Sequence, residues 1–174
     1  MLGRAPIVDF DGTLARLDVD WSGLRARLGL ASLDDLWKTV NASTDGWSDD
    51  PAWRAVTDAE IDAARRAEPV TPLIAALGSC AGFAVLTANS EAAVATFLDA
   101  RPDLNALCLA VAGRETLRGS KRDPHAFARG FRRCAEATAV ARSGGAPVYV
   151  GDLPWELSAA RDLGAVAIDV SEVS

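Results

Sequence analysis

From residue 70 onward, short apolar runs alternate with amphipathic helical segments, and this alternation constrains the fold more than any other feature of the sequence. The runs are residues 83–87, 107–111, 148–150 and 166–170, and a shorter one, residues 5–8, precedes them all. Apolar runs separated by helices are the mark of βαβ construction and a parallel sheet. The helices carry their own punctuation. Thr71 and Pro72 open one that Gly78 ends; Ser90 caps residues 91–100, whose Val94, Phe97 and Leu98 face inward, with Pro102 beyond. Asp123 and Pro124 supply an N-cap and a favoured first-turn proline to a helix with Phe127, Phe131 and Cys134 on one face. Gly144 and Gly145 form a turn, and residues 156–163 form a last helix stopped by Gly164. The expected fold is α/β, a Rossmann-like doubly wound parallel sheet.

Residues 17–69 interrupt this regularity. They hold four of the five tryptophans (Trp21, Trp37, Trp47 and Trp53), show no convincing strand, and pattern as three helices with an irregular polar connection at 41–51. The chain therefore divides into a core of residues 1–16 and 70–174 and a small α-helical insertion at 17–69. At 174 residues there is one core with room for such an insertion.

Composition excludes several classes of function. Hydrophobic residues make up 49% and charged residues 24%, which is enough for a packed core and argues against wholesale disorder. The net charge of −6 disfavours nucleic acid and anionic membrane as partners. No stretch reaches the ~18 apolar residues of a membrane helix. The first residues show neither an apolar signal core nor a cleavage site, so the expected location is cytoplasmic. Cys80, Cys108 and Cys134 are odd in number and widely spaced, which rules out a disulfide framework or a cysteine-rich zinc site and leaves them as core residues. His125 is the single histidine, so no histidine triad is available, and its place at a helix start puts it on the surface.

Ligands of parallel sheets gather outside the carboxyl ends of the strands. Residues 7 and 8 end in Asp9 and Asp11, residues 85 and 86 in Thr87, Ala88 and Asn89, and residues 148–150 in Gly151 and Asp152 with Glu156 four positions on. Lys121 precedes the Pro124 helix. Crowded carboxylates call for a hard, oxygen-liganded cation such as Mg²⁺. A metal, an ammonium and a hydroxyl around a free carboxylate suit phosphoryl transfer.

Four segments carry a resemblance. Residues 9–14 (Asp-Phe-Asp-Gly-Thr-Leu), 85–89 (Val-Leu-Thr-Ala-Asn), 121–124 (Lys-Arg-Asp-Pro) and 150–156 (Val-Gly-Asp-Leu-Pro-Trp-Glu) resemble, in order, the four motifs of the haloacid dehalogenase superfamily, in particular its aspartate-nucleophile phosphatases. The insertion falls where that family places a type-1 helical cap. The resemblance implies that Asp9 attacks phosphorus and that Asp11 protonates the leaving alcohol and then activates water. It also implies that Asp9, the Asp11 backbone carbonyl, Asp152 and Glu156 hold Mg²⁺, with Glu156 bound directly or through water. Thr87, Ala88, Asn89 and Lys121 would hold the phosphoryl group. Gly12 would allow the tight loop and Thr13 would steady it.

The implied activity is hydrolysis of a small phosphorylated metabolite, with phosphoglycolate and sugar phosphates as family precedents, by a monomer or homodimer. A phosphomutase using the same motifs and a non-catalytic interaction module on the same scaffold stand as alternatives. Dehalogenation fits poorly with Asp11 and Asp152, and a response-regulator receiver lacks the long insertion. In and beside the insertion, Arg16, Trp21, Arg25 and Lys38 are within reach of a substrate or belong to packing and surface. Arg114, Arg118 and Arg122 read as a solvated basic loop in which Lys121 alone is functional, and Arg129, Arg132 and Arg133 read as solvent-facing.

Overall fold

A computed structural model describes Leu2, residues 5–39 and residues 49–173. Trp47 and most of the polar connection at 41–51 lie outside the described residues, as does the side chain of Lys38. Five strands form one parallel sheet: β1 (Ile7–Val8), β4 (Phe83–Leu86), β5 (Cys108–Ala112), β6 (Val148–Gly151) and β7 (Val166–Asp169), in the order β5-β4-β1-β6-β7. The chain runs outward from β1 through β4 to β5, then crosses back to lay β6 and β7 on the other side. That reversal opens a crevice at the carboxyl end of β1, where such sheets bind ligands.

Register brings the strand ends level. Ile7 lies opposite Ala84 and Tyr149, and Val8 opposite Val85 and Val150, so the residues following β1, β4 and β6 emerge side by side. Asp9 N–H donates to Val150 O at 2.9 Å and keeps this alignment one step beyond the strand. Alternate side chains serve opposite faces. Val8, Phe83, Val85 and Val150 pack with α4 (Thr71–Leu77), α5 (Glu91–Asp99) and α6 (Pro102–Leu107) through Leu73, Leu77, Val94, Phe97 and Leu104. Ile7, Ala84, Leu86 and Tyr149 pack with α8 (Pro124–Arg142) and α9 (Pro154–Asp162) through Phe127, Phe131, Cys134 and Leu157. This is the expected doubly wound α/β sandwich.

The helix starts form as their capping residues require. Ser90 Oγ accepts from Ala93 N–H, and the Asp123 carboxylate accepts from His125 and Ala126 N–H. His125 is exposed as expected, and so are Arg129, Arg132 and Arg133, although the Arg129 guanidinium also donates to Leu117 O. Cys80 and Cys108 pack against one core and Cys134 lies within the other.

The segment between β1 and β4 holds α1 (Trp21–Leu28), a 3₁₀ turn at Leu33–Asp35, α2 (Leu36–Thr39) and α3 (Pro51–Ala64). Leu24, Leu36, Trp53 and Val56 form a separate apolar cluster there, with Trp21 and Trp37 packed against it. One expectation needs correction. Two residue pairs, β2 (Ala15–Arg16) and β3 (Glu68–Pro69), form an antiparallel ribbon where the helical segment leaves and rejoins the sheet. Strands of two residues are too short to show a period of two, so their pattern carries no signal.

Candidate active site

The turn after β1 is tight because Phe10 O accepts from the backbone N–H groups of Thr13, Leu14 and Ala15. Gly12 sits in the left-handed region (φ +83°), and a Cβ there would run into the Asp152 carboxylate. Only glycine meets both demands. The Thr13 hydroxyl donates to Asp152 Oδ1 at 3.4 Å, tying the first loop to the end of β6.

Lys121 lies between two carboxylates. Its Nζ donates to Asp9 Oδ1 and to Glu156 Oε2, both at 2.7 Å, and all three side chains are buried. Burial favours the neutral amine, but Asp9 and Glu156 outweigh it and hold the ammonium above its ordinary pKa. Asp9 shows the opposite balance: burial pushes its carboxyl up to about 7, only partly countered by Lys121, while Glu156 raises it further. A carboxylate in this state lacks cationic compensation.

Asp9, Asp152 and Glu156 each present an oxygen within 4.8 Å of the others. Burial, and secondarily Glu156, raises the Asp152 pKa as well. The set is all oxygen and anionic, so its chemistry fits a hard divalent cation. The members are not equivalent. Glu156 Oε1 accepts from Asp152 and Leu153 N–H at 3.1 and 3.2 Å, and Oε2 accepts from Lys121 and from Tyr149 Oη at 3.0 Å. Four donors occupy its two oxygens, whereas Asp9 and Asp152 keep open lone pairs. Glu156 is thus placed at the start of α9 both to close the helix N-terminus and to grip Lys121.

The Asp11 carboxylate is outside this group of three. Its Oδ1 accepts from Leu17 N–H at 3.0 Å, and burial is the main cause of its raised pKa. Thr87, at the end of β4, donates its hydroxyl to Asn89 Oδ1 at 2.9 Å and accepts from Asn89 N–H at 3.1 Å. Ala88 is exposed beside them. All eight site residues are brought to one rim: Asp9, Asp11, Thr87, Ala88, Asn89, Lys121 and Glu156 line a single cavity of about 300 Å³, and Asp152 adjoins it, with an oxygen within 4.8 Å of those of Asp9 and Glu156 and its N–H on Glu156 Oε1.

Two residues at this rim depart from expectation. Arg114 does not lie in a solvated loop; it is buried and forms a bidentate ion pair with Glu60 of α3, Nη1 to Oε1 at 3.0 Å and Nη2 to Oε2 at 2.9 Å. Glu60, which belongs to none of the four motifs, also accepts from Asn89 Nδ2 at 3.2 Å and from Ser90 N–H at 2.9 Å. Its signal lay in the helical stripe: Trp53, Val56, Glu60 and Ala63 share the buried face of α3, and a carboxylate there demands a partner. Of the other residues weighed in the insertion, Trp21 lines the cavity, Arg16 is exposed in β2, and the Arg25 guanidinium donates to Ser22 Oγ at 3.4 Å, away from the cavity lining.

No protein-family model and no curated protein sequence matches the chain. Solved structures do. A haloacid dehalogenase-like hydrolase from Streptococcus pneumoniae superposes with a TM-score of 0.59 at 16% identity, over 95% of this chain and 83% of that one. A haloacid dehalogenase-superfamily hydrolase of subfamily IA from Geobacter sulfurreducens gives 0.56 at 17%, over 97% and 87%. The unknown transcript 4 protein of Saccharomyces cerevisiae gives 0.55 at 15%, over 95% and 88%. The chain has the haloacid dehalogenase-like fold. Identities this low speak for the fold alone. In the haloacid dehalogenase-like fold, the rim just described is the carboxyl edge of the central sheet. Among the described residues no helix is long and apolar enough to cross a membrane.

Proposed function

We propose that the chain is a magnesium-dependent phosphatase that hydrolyses a small phosphate monoester through an aspartyl-phosphate intermediate. The observation that carries this reading is the Asp9 carboxylate at the end of β1, held at 2.7 Å by Lys121 and flanked by Asp152, with Asp11 two residues on. Asp9 and Asp152, together with the Asp11 backbone carbonyl, would hold the cation. When bound, Mg²⁺ supplies positive charge against the phosphoryl oxygens and keeps Asp9 ionised.

The protein's own groups do the rest. An Asp9 carboxylate oxygen bonds to phosphorus as the ester P–O bond breaks, and the Asp11 carboxyl gives its proton to the departing alkoxide. Burial suits Asp11 to this task, because a raised pKa keeps the proton available. Water then attacks phosphorus of the acyl phosphate, losing a proton to the Asp11 carboxylate, and Asp9 is released with inorganic phosphate. The Lys121 ammonium, gripped by Glu156, and the Thr87 hydroxyl, turned from Asn89, would stabilise the transferring oxygens. Residues 17–69 act as a cap that screens the site from water. Phosphate monoesters hydrolyse so slowly that enzymes reach accelerations of about 10²¹-fold, and no single one of these groups supplies that.

The test is release of inorganic phosphate from p-nitrophenyl phosphate. We expect turnover with Mg²⁺, loss of turnover with a chelator, and none for Asp9→Asn. Equal rates for wild type and Asp9→Asn would overturn the assignment, and rearrangement of a hexose 1-phosphate without phosphate release would mark a mutase instead.

A further inference from the structure

The cavity that contains Asp9 and Lys121 has an uneven lining. Its polar members are largely spoken for. Asp9, Asp11, Thr87, Asn89, Lys121 and Glu156 belong to the proposed phosphoryl centre. Glu60 and Arg114 are turned to each other, and Arg114 donates further to Thr57 Oγ1 at 2.8 Å. What remains is aromatic and apolar: Trp21, Leu33, Trp37 and Trp53 from the helical segment, and Leu153 and Trp155 from the start of α9. Trp37 and Trp53 are in contact, with ring centroids 4.7 Å apart and planes tilted by 51°. Trp155 carries the Arg122 guanidinium over its ring at 5.0 Å. Among the described residues of the lining, the polar side-chain groups left outside the phosphoryl centre and the ion pair are Arg122, Ser120 and the tryptophan N–H groups; Nε1 of Trp53 and of Trp155 is buried, and Ser120 Oγ accepts from Arg122 N–H at 3.2 Å.

We infer that the alcohol released from the substrate is an aromatic one, of the benzyl or phenol type, and that the tryptophans of the helical segment select it. This rests on the phosphatase reading above and deepens it. A sugar can lay a C–H face against an indole, but its several hydroxyls would each need a partner on leaving water, and this part of the lining offers few. A flat ring gains stacking and edge contacts against the same surfaces. The volume, about 300 Å³, is at the small end of ligand pockets (about 300–1,000 Å³) and suits a phosphoryl group with one ring rather than a nucleotide. Two- or three-carbon phospho-acids would leave the aromatic wall unfilled.

The test compares substrates whose leaving groups are primary alcohols of similar basicity, so that chemistry favours none. With Mg²⁺ present, kcat/KM is measured for benzyl phosphate, glucose 6-phosphate and glycerol 3-phosphate. We expect benzyl phosphate to lead by about tenfold or more, mainly through KM, and Trp37→Ala to shrink that lead to about twofold. Turnover that depends on Asp9 but is equal for the three esters, or favours the sugar, overturns the inference and leaves the phosphatase standing. A second arm is read whether or not turnover occurs: tryptophan fluorescence is titrated with benzylphosphonate and with methylphosphonate. Binding of benzylphosphonate about tenfold tighter supports the inference even if the catalytic assignment fails, and equal affinities overturn it.

Discussion

Arg114 and Glu60 stand 54 positions apart in the sequence and meet as a buried, two-pronged ion pair that joins α3 to the short helix after β5. The guanidinium also lies over the Trp53 ring at 4.5 Å, and the carboxylate takes two further donors from Asn89 and Ser90. Arginine fits because its planar fork matches both carboxylate oxygens at once. The pair thus fastens the helical segment to the rim of the sheet at a point adjoining Thr87.

Removing one partner leaves the other charge buried and alone. Arg114→Met and Glu60→Leu are each expected to destabilise the fold by about 3–5 kcal/mol, whereas the two replacements together should cost far less than their sum. Urea unfolding of the four proteins reads this coupling directly. Additive losses would mean that the two side chains act independently.

The proposed proton donor can be tested through the leaving group. If Asp11 protonates the departing alkoxide, Asp11→Asn should reduce turnover of an alkyl phosphate by about 10²–10⁴-fold. The same variant should lose less on p-nitrophenyl phosphate, whose phenolate leaves without a proton, until hydrolysis of the intermediate limits the rate. Steady-state and burst kinetics on the two esters make the comparison, and an equal loss on both without a burst of p-nitrophenol would assign Asp11 to metal binding or loop structure instead.

Glu156 and Asp152 should separate in the same assays. Four donors occupy the Glu156 carboxylate, Lys121 among them, while Asp152 keeps open lone pairs. Glu156→Gln is therefore expected to lower kcat with little change in the magnesium concentration needed for half activity. Asp152→Asn should raise that concentration by about tenfold or more. A magnesium requirement shifted equally by both would make Glu156 a ligand.

Much of this arrangement is legible in the sequence because it is local. Ser90, Asp123 and Pro124 mark helix starts by chemistry confined to three or four residues, and the motifs of Asp9, Thr87 and Asp152 sit directly on the ends of apolar runs, while Lys121 stands just before a capped helix. The parallel register does the assembly, bringing Asp9, Thr87 and Asp152 together without any further signal. What the sequence hides is pairing at a distance. Nothing near Arg114 distinguishes it from its basic neighbours, and its burial follows from a carboxylate on another element. The ribbon of β2 and β3 and the short helices α6 and α7 (Arg114–Leu117) are likewise too brief to impose a pattern.

The pH dependence of stability should report the uncompensated charge at Asp9. Burial pushes its carboxyl from the ordinary 3.8 up to about 7 in the folded protein, so between those values the folded state holds a proton that the unfolded state has released. Stability of the metal-free protein therefore falls as pH rises from about 4 to about 7. Asp11 and Asp152, also raised by burial, act in the same direction, while Lys121 titrates above this window. Asp123 is shifted down and works oppositely, but it is exposed at a helix start and solvent weakens its effect. Thermal melts across this range should show a declining Tm without metal. Asp9→Asn should flatten the slope, which separates this site from the general repulsion of a chain with net charge −6. Excess Mg²⁺ should flatten or reverse it, because the cation binds the ionised carboxylates and its hold strengthens as protons leave. A wild-type slope unchanged by both Mg²⁺ and Asp9→Asn would show that the acidic cluster neither carries the strain nor binds the ion.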